Sequence, residues 1–564
     1  MITDVYPLKA QFLSGEIVRI AVLLENRGAE AAEWSLEGRV SWLERQLERL
    51  MLGPVRLEAG ESRELTMELQ AREAAFDGFG LDVDLIGEGG VVLDTASTAF
   101  DVVDDWRRST RYGFLSDFHR SESGDEEDVK WLSKLHLNLV QFYDWMYRHD
   151  DLVADRSEYV DLMGRELSLD VVKEKVGLCH RHGMKALAYG AVYAASKPFA
   201  EQHPDWALYQ SNGEVYDFIN IFTIMNIMEQ SPWHRHIIGE YKRAVELVGF
   251  DGIHMDTYGF PKGGTSVWGG EERVVRLAEH FPVLIDHTRE ELVRSKDDIA
   301  LVFNNVGNWP VGAAAKAKQD AVYIEVWKPY ERYHHIRQIV REAKAAGEGK
   351  PVILAAYLTP FRTDDPERAR NAGLLLTAVI ASHGAYHLVA GENMAVLTQA
   401  YYADYSVVTP SFARELRTYY DFQIRYANLL YDESLTDVSM THLDGDNLEY
   451  VFDELEYSAY GEADKVWAIV RENERRKTIS LVNLTGNRED YWNEGKSRPE
   501  RRTNIKLRIL LEGNVSGAFA ATPDDGFGRP VPLEYEITAS LRGRTMELTI
   551  PSVDVWTVVW IELD

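Results

Sequence analysis

The feature that most constrains the fold is a series of eight short apolar runs that alternate with amphipathic segments. The runs are rich in β-branched and aromatic residues, and the segments between them repeat apolar side chains every three or four residues, as helices do. Strands that are apolar on both faces and separated by helices are typical of a parallel sheet covered by helices. The runs span residues 112–118, 137–145, 185–193, 252–259, 299–307, 321–327, 351–358 and 386–392.

Eight such β/α units predict a (β/α)8 barrel. An open doubly wound sheet is the alternative, but no G-x-G-x-x-G or G-x-x-x-x-G-K-[ST] motif follows any run. Two of the predicted helices show one apolar face each. The first face holds Leu169, Val172, Val176 and Cys179, and the second holds Ile237, Tyr241, Ala244, Val245 and Val248.

Alternating short segments separated by turn residues flank the predicted barrel on both sides. This texture predicts a β-sandwich at each end of the chain. A length of 564 residues also exceeds the roughly 250 to 300 residues at which a single core stops growing. We therefore expect three domains: residues 1–105, a β-sandwich; residues 106–436, the barrel; and residues 437–564, a second β-sandwich.

The charge balance indicates which partners to expect. The chain has 61 basic and 91 acidic residues, a net charge of −30, and no basic run stands out. Because binding to phosphate backbones or anionic membranes needs clustered positive charge, neither nucleic acid nor a membrane is an expected partner. No basic segment followed by an apolar one opens the chain. We expect a cytoplasmic protein as the sequence stands, or a secreted one if a leader has been trimmed.

Several reactive-residue chemistries are disfavoured. Cys179 is the single cysteine, which excludes intramolecular disulfides and cysteine-based zinc sites, and its place on an apolar helix face predicts a buried structural thiol. The histidines have no recognised zinc spacing, and no G-x-S-x-G motif follows a run. We expect no metal and no cofactor.

Two carboxylates stand where a barrel enzyme places its catalytic groups, at the carboxyl ends of strands. Asp256 ends the apolar run in "FDGIHMDTYG", and Glu325 lies in "AVYIEVW". Side-chain alternation puts His254 and Asp256 on the same face of one strand, and Glu325 and Trp327 on the same face of another strand. If the aliphatic positions of both strands face the helices, both carboxylates face the barrel mouth. Either carboxylate alone would more often be a helix cap, a salt-bridge partner or a loop contact, and it is their combination on facing positions that favours catalysis.

A facing pair of carboxyl groups suits the cleavage of glycosidic bonds. One group must be ionised to act as nucleophile, and the other must hold a proton for the leaving oxygen. A neighbouring carboxylate and an aromatic wall such as Trp327 would raise the pKa of the second group.

The ends of the other runs supply aromatic and hydrogen-bonding side chains suited to a sugar. Aromatic rings stack on the apolar faces of pyranoses, and polar side chains bind hydroxyl groups. The tyrosines could equally serve barrel packing. The candidate substrate-binding residues are Tyr143, Asp144, Trp145, Tyr189, His254, Asn305, Trp309, Trp327, Tyr357 and Glu392.

The motifs "FDGIHMDTYG", "AVYIEVW" and "QFYDWMYRHD" together resemble those of glycoside hydrolase family 66, the endodextranases and cycloisomaltooligosaccharide glucanotransferases. The resemblance implies an immunoglobulin-like N-terminal domain, a catalytic barrel and a C-terminal Greek-key β domain. It also implies a retaining enzyme that cleaves α-1,6-glucosidic bonds of dextran, with Asp256 as nucleophile and Glu325 as acid/base.

Within this family the resemblance leaves the acceptor open. The cyclising glucanotransferases carry an extra carbohydrate-binding module after strand seven, whereas the stretch between Leu358 and Tyr386 has room for a loop and one helix. The sequence therefore favours a dextranase that releases isomaltooligosaccharides. The alternatives are a cycloisomaltooligosaccharide glucanotransferase, a non-catalytic α-glucan-binding protein and a glycosidase for another α-glucan linkage.

Overall fold

A computed structural model describes residues 1–443, 445–540 and 543–564. At its centre is a sheet that contains all eight predicted strands, each inside the predicted run. The strands are β1 (Tyr112–Leu115), β2 (Leu139–Phe142), β3 (Lys185–Ala191), β4 (Gly252–Asp256), β5 (Ala300–Val306), β6 (Ala321–Glu325), β7 (Val352–Ala355) and β8 (Tyr386–His387 together with Ala390–Gly391).

These eight strands pair in sequence order, and every pair is parallel. The last strand then pairs with the first, because Gly391 lies opposite Phe114. The sheet is therefore curled, and the carboxyl ends of its strands lie around one edge. This sequential order differs from that of an open doubly wound sheet, in which the order reverses at an internal strand.

Helices follow the strands as predicted, although the segment after β5 contains only a single turn. The two apolar helix faces predicted from the sequence are confirmed, since every residue named for each face is buried. The helices are α1 (Glu127–Lys134), α2 (Leu169–Arg181), α3 (Lys197–Gln202), α4 (Pro232–Val248), α5 (Leu277–Leu292), α6 (Val311–Ala314), α7 (Tyr333–Ala346), α8 (Pro360–Thr363), α9 (Pro366–Ser382), α10 (Pro410–Arg425), α11 (Ala427–Leu430) and α12 (Ser439–His442).

Local sequence sets the ends of these helices. The Asp365 side chain accepts hydrogen bonds from the backbone N–H groups of Glu367 and Arg368 at the start of α9, which pairs donors that a helix leaves unsatisfied. Helix α4 ends at Gly249, whose φ of 98° is open to glycine without steric cost. Cys179 in α2 is fully buried, and burial raises the pKa of its thiol, in agreement with the predicted structural role.

The N-terminal region forms two sheets, of three and five strands. Side chains such as Ile20, Val22, Leu81 and Val83 share one core between them. The alternation of buried and exposed positions follows the period of two that the sequence shows. The strands are Ile2–Pro7, Phe12–Leu13, Ile17–Glu25, Ala32–Trp42, Arg45–Leu57, Ser62–Gln70, Phe76–Ile86 and Val92–Val103.

The C-terminal region also forms two sheets, of seven and four strands, around a core that includes Ile479, Leu507 and Ile550. The strands are Thr436–Asp437, Tyr450–Asp453, Tyr457–Ser458, Val466–Glu472, Arg476–Asn483, Arg502–Leu511, Val515–Ala521, Val531–Pro532, Tyr535–Ser540, Gly543–Val553 and Trp556–Leu563.

The loops that follow the central strands contain further short strands. The loop after β4 includes the strand Gly263–Ser266, which pairs with the strand Leu208–Tyr209 of the preceding loop. Such a contact between distant segments leaves no local signal in the sequence. The short strands are Glu158–Val160, Glu166–Ser168, Ala194–Ser196, Leu208–Tyr209, Asp217–Phe218, Phe222–Ile224, Gly263–Ser266, Arg273–Arg276, Ala395–Val396 and Ser406–Val407.

The N-terminal region is attached to the central region by a buried ion pair. Arg425 of α10 donates to both carboxylate oxygens of Asp82, at 3.1 and 3.0 Å, and the two side chains are almost fully buried. Within the described residues, no helix has the length and apolar character needed to cross a membrane.

Candidate active site

The two predicted carboxylates lie at the ends of their strands. Asp256 is the last residue of β4, and Glu325 is the last residue of β6. Both line a cavity of about 560 Å³ at the carboxyl edge of the central sheet. The predicted alternation is confirmed there, since His254 and Trp327 line the same cavity.

One side chain connects the two carboxylates. Nδ2 of Asn304 lies 2.7 Å from Oδ1 of Asp256 and 3.2 Å from Oε2 of Glu325. Each carboxylate also accepts a hydrogen bond from a tyrosine hydroxyl: Tyr189 donates to Oδ2 of Asp256 at 2.7 Å, and Tyr357 donates to Oε1 of Glu325 at 2.7 Å. These donors fix the orientation of both carboxyl groups.

Burial raises the pKa of both carboxyl groups, because a charge is costly away from water. The pKa of Asp256 rises to about 7, with Glu325 as the second cause, while hydrogen bonds from Asn304 and Tyr189 oppose the rise. Burial also raises the pKa of Glu325, opposed by Tyr357 and Asn304. The sequence led us to expect a raised pKa for Glu325 alone. Two such groups in one site titrate as a coupled pair.

His254 supports this site in its neutral form. Its Nδ1 lies 2.8 Å from the hydroxyl oxygen of Tyr112, and its Nε2 lies 4.0 Å from Oδ1 of Asp256. Burial lowers the pKa of the imidazole to about 3. His254 is therefore a buried polar neighbour of Asp256 rather than a charged partner.

Asp144 follows β2 and also lines the cavity. Its backbone is in the left-handed region, with φ of 48°, which costs free energy for any residue with a Cβ and is often found at functional sites. Burial raises the pKa of its carboxyl group to about 7, although Arg165, with Nη2 3.9 Å from Oδ2, opposes the rise. Asp144 thus offers the cavity a third carboxyl group.

Aromatic side chains form the walls of the cavity, as predicted for Tyr143, Tyr189, Trp327 and Tyr357. Trp327 is 41% exposed, and its ring lies edge-on to that of Tyr357 at 5.6 Å. Among the aromatic residues of the lining, Trp327 is the most exposed, so it is the ring best placed to meet a ligand that extends out of the cavity.

Four predicted binding residues lie outside the cavity lining and are left out of the proposed substrate site. Trp145 is fully buried and donates to the carbonyl of Tyr189. Asn305 is fully buried and donates to the carbonyls of Phe303 and Tyr323.

The other two of the four are held by different contacts. Trp309 packs edge-on against Phe281 at 5.9 Å and carries the ammonium of Lys262 over its ring. Glu392 is fully buried and accepts from the backbone N–H groups of Ser116 and Asp117, so its carboxylate ties the end of β8 to the segment after β1.

Further residues line the cavity. The sequence offers Asn304 and Asn305 side by side, and which of them lines the cavity depends on which face of β5 points inward. Tyr402 comes from the loop after β8, where the aromatic cluster "YYADY" was a usable signal. Phe218 and Phe222 come from a short antiparallel hairpin in the loop after β3, and Tyr258 lies two residues beyond the end of β4.

Among the described residues, three acidic side chains outside the cavity come close enough to be considered for a metal ion: Glu122, Asp125 and Asp128. The ammonium of Lys175 lies 3.1 Å from Asp128 and 3.8 Å from Glu122, so the protein itself supplies the counter-charge.

A curled parallel sheet with two buried carboxyl groups at its carboxyl edge is an arrangement typical of enzymes that cleave glycosidic bonds. The family model of glycosyl hydrolase family 66 matches residues 7–560. The chain therefore belongs to glycosyl hydrolase family 66.

Individual relatives are distant in sequence. A cycloisomaltooligosaccharide glucanotransferase of Niallia circulans is 22% identical, over 100% of this chain and 72% of the relative. A dextranase of Streptococcus salivarius is 23% identical, over 86% of this chain and 68% of the relative. The fold is similar to that of a Paenibacillus cycloisomaltooligosaccharide glucanotransferase solved with cycloisomaltoheptaose, with a TM-score of 0.90, 21% identity and 99% coverage of both chains.

Proposed function

We propose that this protein is a retaining endo-glycosidase that cleaves α-1,6-glucosidic bonds of dextran and releases isomaltooligosaccharides. The observation that carries the proposal is the pair of buried carboxyl groups joined by Asn304. Because one nitrogen lies 2.7 Å from Asp256 and 3.2 Å from Glu325, these two oxygens are at most about 6 Å apart, which is compatible with the separation of about 5 to 5.5 Å between the carboxyl groups of retaining enzymes.

In the proposed mechanism, Asp256 attacks the anomeric carbon while Glu325 protonates the glucosidic oxygen. The bond to the leaving sugar breaks, and a covalent glucosyl ester of Asp256 forms. Glu325, now ionised, removes a proton from water, which attacks the anomeric carbon and frees Asp256. Two inversions give a product that retains the α configuration.

The hydrogen bonds suit these roles. Tyr189 and Asn304 both donate to Asp256 at 2.7 Å, which stabilises the ionised form that a nucleophile needs. Burial raises the pKa of Glu325, which favours the protonated form that a general acid needs. The first step needs one proton on the carboxyl pair, and Glu325 delivers that proton to the glucosidic oxygen.

The proposed substrate contacts are the predicted residues that line the cavity. Aromatic faces would stack on glucose rings, and Asp144 and His254 would bind hydroxyl groups. The buried walls suit a neutral sugar, since the described residues that line the cavity include carboxyl groups and no lysine or arginine. The proposed set is Tyr143, Asp144, Tyr189, His254, Trp327 and Tyr357.

We also propose the finer architecture: a (β/α)8 barrel over residues 106–436, an immunoglobulin-like β-sandwich over residues 1–105 and a Greek-key β-sandwich over residues 437–564. The pairing of β8 with β1 supports the barrel. Each pair of flanking sheets has a core of its own, which supports the division, and side chains such as Trp467 and Trp556 of the C-terminal region pack into the central core.

Hydrolysis is proposed as the main reaction, rather than cyclisation. Between β7 and β8 the chain contains helices α8 and α9 and no inserted module. Transfer to a sugar hydroxyl would use the same glucosyl ester, with the hydroxyl in place of water. The relatives named as glucanotransferases make this the second candidate.

The test is product analysis on dextran by proton NMR, with wild type, Asp256→Gly and Glu325→Gln. We expect wild type to release linear isomaltooligosaccharides first as the α anomer, and both variants to lose several orders of magnitude in rate. Glu342→Gln, which changes an exposed carboxylate on α7, is the matched control and should keep full activity.

Other outcomes separate the alternatives. Dominant cyclic products would favour the glucanotransferase, and faster turnover of starch or pullulan would favour another linkage. Binding of dextran without turnover would favour a glucan-binding protein. Near-full activity of Asp256→Gly or Glu325→Gln would overturn the assignment of the catalytic pair.

A further inference from the structure

A row of three tyrosine hydroxyl groups leads to Glu325. The hydroxyl of Tyr357 lies 2.7 Å from Oε1 of Glu325 and 3.3 Å from the hydroxyl of Tyr402. The hydroxyl of Tyr402 in turn lies 2.7 Å from that of Tyr323. All three side chains are buried, so water does not compete for these hydrogen bonds.

The proton count gives the row a direction. A tyrosine hydroxyl has one proton to donate. The shorter, charge-assisted bond to a carboxylate is stronger than a longer bond to a neutral hydroxyl, so Tyr357 donates to Glu325. Tyr402 must then donate to the oxygen of Tyr357, and Tyr323 must donate to the oxygen of Tyr402.

Reversal of this direction is unfavourable. If Glu325 donated a proton from Oε1 to Tyr357, each hydrogen bond of the row would reverse. Tyr357 would donate to Tyr402, Tyr402 would donate to Tyr323, and the proton of Tyr323 would need another acceptor. Among the described residues, the hydrogen-bond partner of the Tyr323 hydroxyl is the hydroxyl of Tyr402. Tyr323 is also fully buried. A buried donor without an acceptor is unfavourable, because its hydrogen bond to water is lost and not replaced.

The ring of Tyr402 is held firmly in this position. It stacks on Tyr143 with ring centroids 4.5 Å apart and an interplanar angle of 17°. It also lies edge-on to Phe114 at 5.3 Å, and 3% of the residue is exposed. The loop after β8 thus places a fixed hydroxyl group 3.3 Å from that of Tyr357, which contacts Oε1 of Glu325, whereas Asn304 contacts Oε2.

We propose that Tyr402 is a positioning residue that acts on Glu325 through Tyr357. The directed row keeps Oε1 as an acceptor, so the proton that Glu325 delivers resides on Oε2, the oxygen that faces Asn304 and Asp256. As that proton leaves, negative charge develops on the carboxylate, and the row stabilises it. This inference rests on the proposed acid/base role of Glu325.

The test compares two substrates that differ in their need for an acid. Dextran requires protonation of its leaving oxygen, whereas α-isomaltotriosyl fluoride loses fluoride with little help. For Tyr402→Phe we expect kcat/KM on dextran to fall by about 3- to 10-fold, from the loss of one hydrogen bond. On the fluoride, kcat/KM should stay within about 2-fold of wild type.

The pH profile gives a second readout. Loss of the supporting donor makes the ionised form of Glu325 less stable, which raises its pKa. The high-pH limb of kcat/KM on dextran should therefore move upward by roughly half to one pH unit in Tyr402→Phe. Tyr323→Phe removes the last donor of the row and should shift the limb in the same direction by a smaller amount.

Tyr426→Phe is the matched control. Tyr426 is also fully buried and donates to the carbonyl of Gly528 at 2.9 Å, remote from the cavity, so its loss should leave both rates and the pH profile unchanged. Thermal unfolding of each variant checks that it is folded. If Tyr402→Phe does not fold, the same measurements are made on Tyr323→Phe.

Two results would overturn the inference. Equal losses on dextran and the fluoride with an unshifted pH profile would mean that Tyr402 serves packing or sugar binding alone. Unchanged rates on both substrates would mean that the row does not act on Glu325. A wild type inactive on both substrates would instead overturn the proposed function, and the acid/base role with it.

Discussion

Asp256 and Glu325 share a hydrogen-bond donor, the amide nitrogen of Asn304, which lies 2.7 Å from the first and 3.2 Å from the second. An amide NH2 group has two protons, so it can serve both carboxylates at once. This arrangement holds the two groups at a fixed separation and offsets part of their mutual repulsion.

Replacement of Asn304 by alanine tests this shared donor. Loss of hydrogen bonds to charged groups should lower kcat/KM on dextran by about 10- to 100-fold. The donor stabilises ionised Asp256, so its removal raises the pKa of that group and moves the low-pH limb of activity to higher pH. Steady-state kinetics across pH measures both effects.

Asn212→Ala, in an exposed turn, is the control for Asn304→Ala and should behave as wild type. If Asn304→Ala retains activity within about 2-fold and keeps the wild-type pH profile, the shared donor has no catalytic consequence.

The buried carboxyl group of Asp256 should cost the protein stability at neutral pH and above. Its pKa rises from 3.8 to about 7 in the folded state, so the folded state binds the proton more tightly than the unfolded state. The free energy of unfolding therefore decreases as pH rises through this window. Asp256→Asn removes the cost, and the Tyr189 hydroxyl can rotate to accept from the new amide.

We expect Asp256→Asn to be more stable than wild type at about pH 8, by roughly 1 to 3 kcal/mol, with a smaller difference at about pH 4.5. Thermal unfolding at both pH values measures this. The same difference at the two pH values would contradict the raised pKa of Asp256.

Trp327 is expected to bind a sugar ring at the open side of the cavity, because it is 41% exposed and packs edge-on against Tyr357. Trp327→Ala should raise KM for dextran by about 2- to 10-fold, the size of an aromatic contact. Trp327→Phe keeps a ring and should restore most of the affinity. A fall in kcat with KM unchanged would argue against stacking and for a role in orienting Glu325.

Glu392 is expected to be important for stability rather than catalysis. Oε1 of its carboxylate accepts from the backbone N–H groups of Ser116 and Asp117 at 3.0 and 2.9 Å, and from the Ser116 hydroxyl at 2.7 Å. Glu392→Ala leaves these buried donors without an acceptor, so the free energy of unfolding should fall by about 2 to 4 kcal/mol.

Glu392→Gln is the conservative partner of that variant, since it keeps an oxygen acceptor and should lose less stability. At a temperature where all proteins are folded, both variants should keep kcat/KM on dextran within about 3-fold of wild type. A large loss of activity in folded Glu392→Gln would show that Glu392 contributes to substrate binding or catalysis.

The central fold could be predicted from the sequence because its signal is local. Each strand is a short apolar run, and each helix shows its buried face at a spacing of three and four residues. The same periodicity predicted that Asp256 and Glu325 would point to the barrel mouth, and both line the cavity. Alternation needs only the residues of one strand, so no distant contact had to be known.

Asn304 and Asn305 show where this reasoning fails. Both are polar residues of one apolar strand, and the sequence does not say which one faces inward. The register of the sheet decides, since Asn304 lies opposite Tyr323 on β6, and paired residues of neighbouring strands point to the same side. Register is a relationship between strands and therefore leaves no mark within either strand.

The sequence by itself determined the order of strands and helices, the two carboxyl groups and the aromatic supply, because these follow from residue type and period. Tertiary structure alone decided which polar groups meet: Asn304 between the carboxylates, Tyr402 behind Tyr357 and Glu392 in the join of β8 to the segment after β1. Such groups come from segments far apart in the chain, and only their hydrogen bonds in the buried, low-dielectric interior distinguish a catalytic group from a structural one.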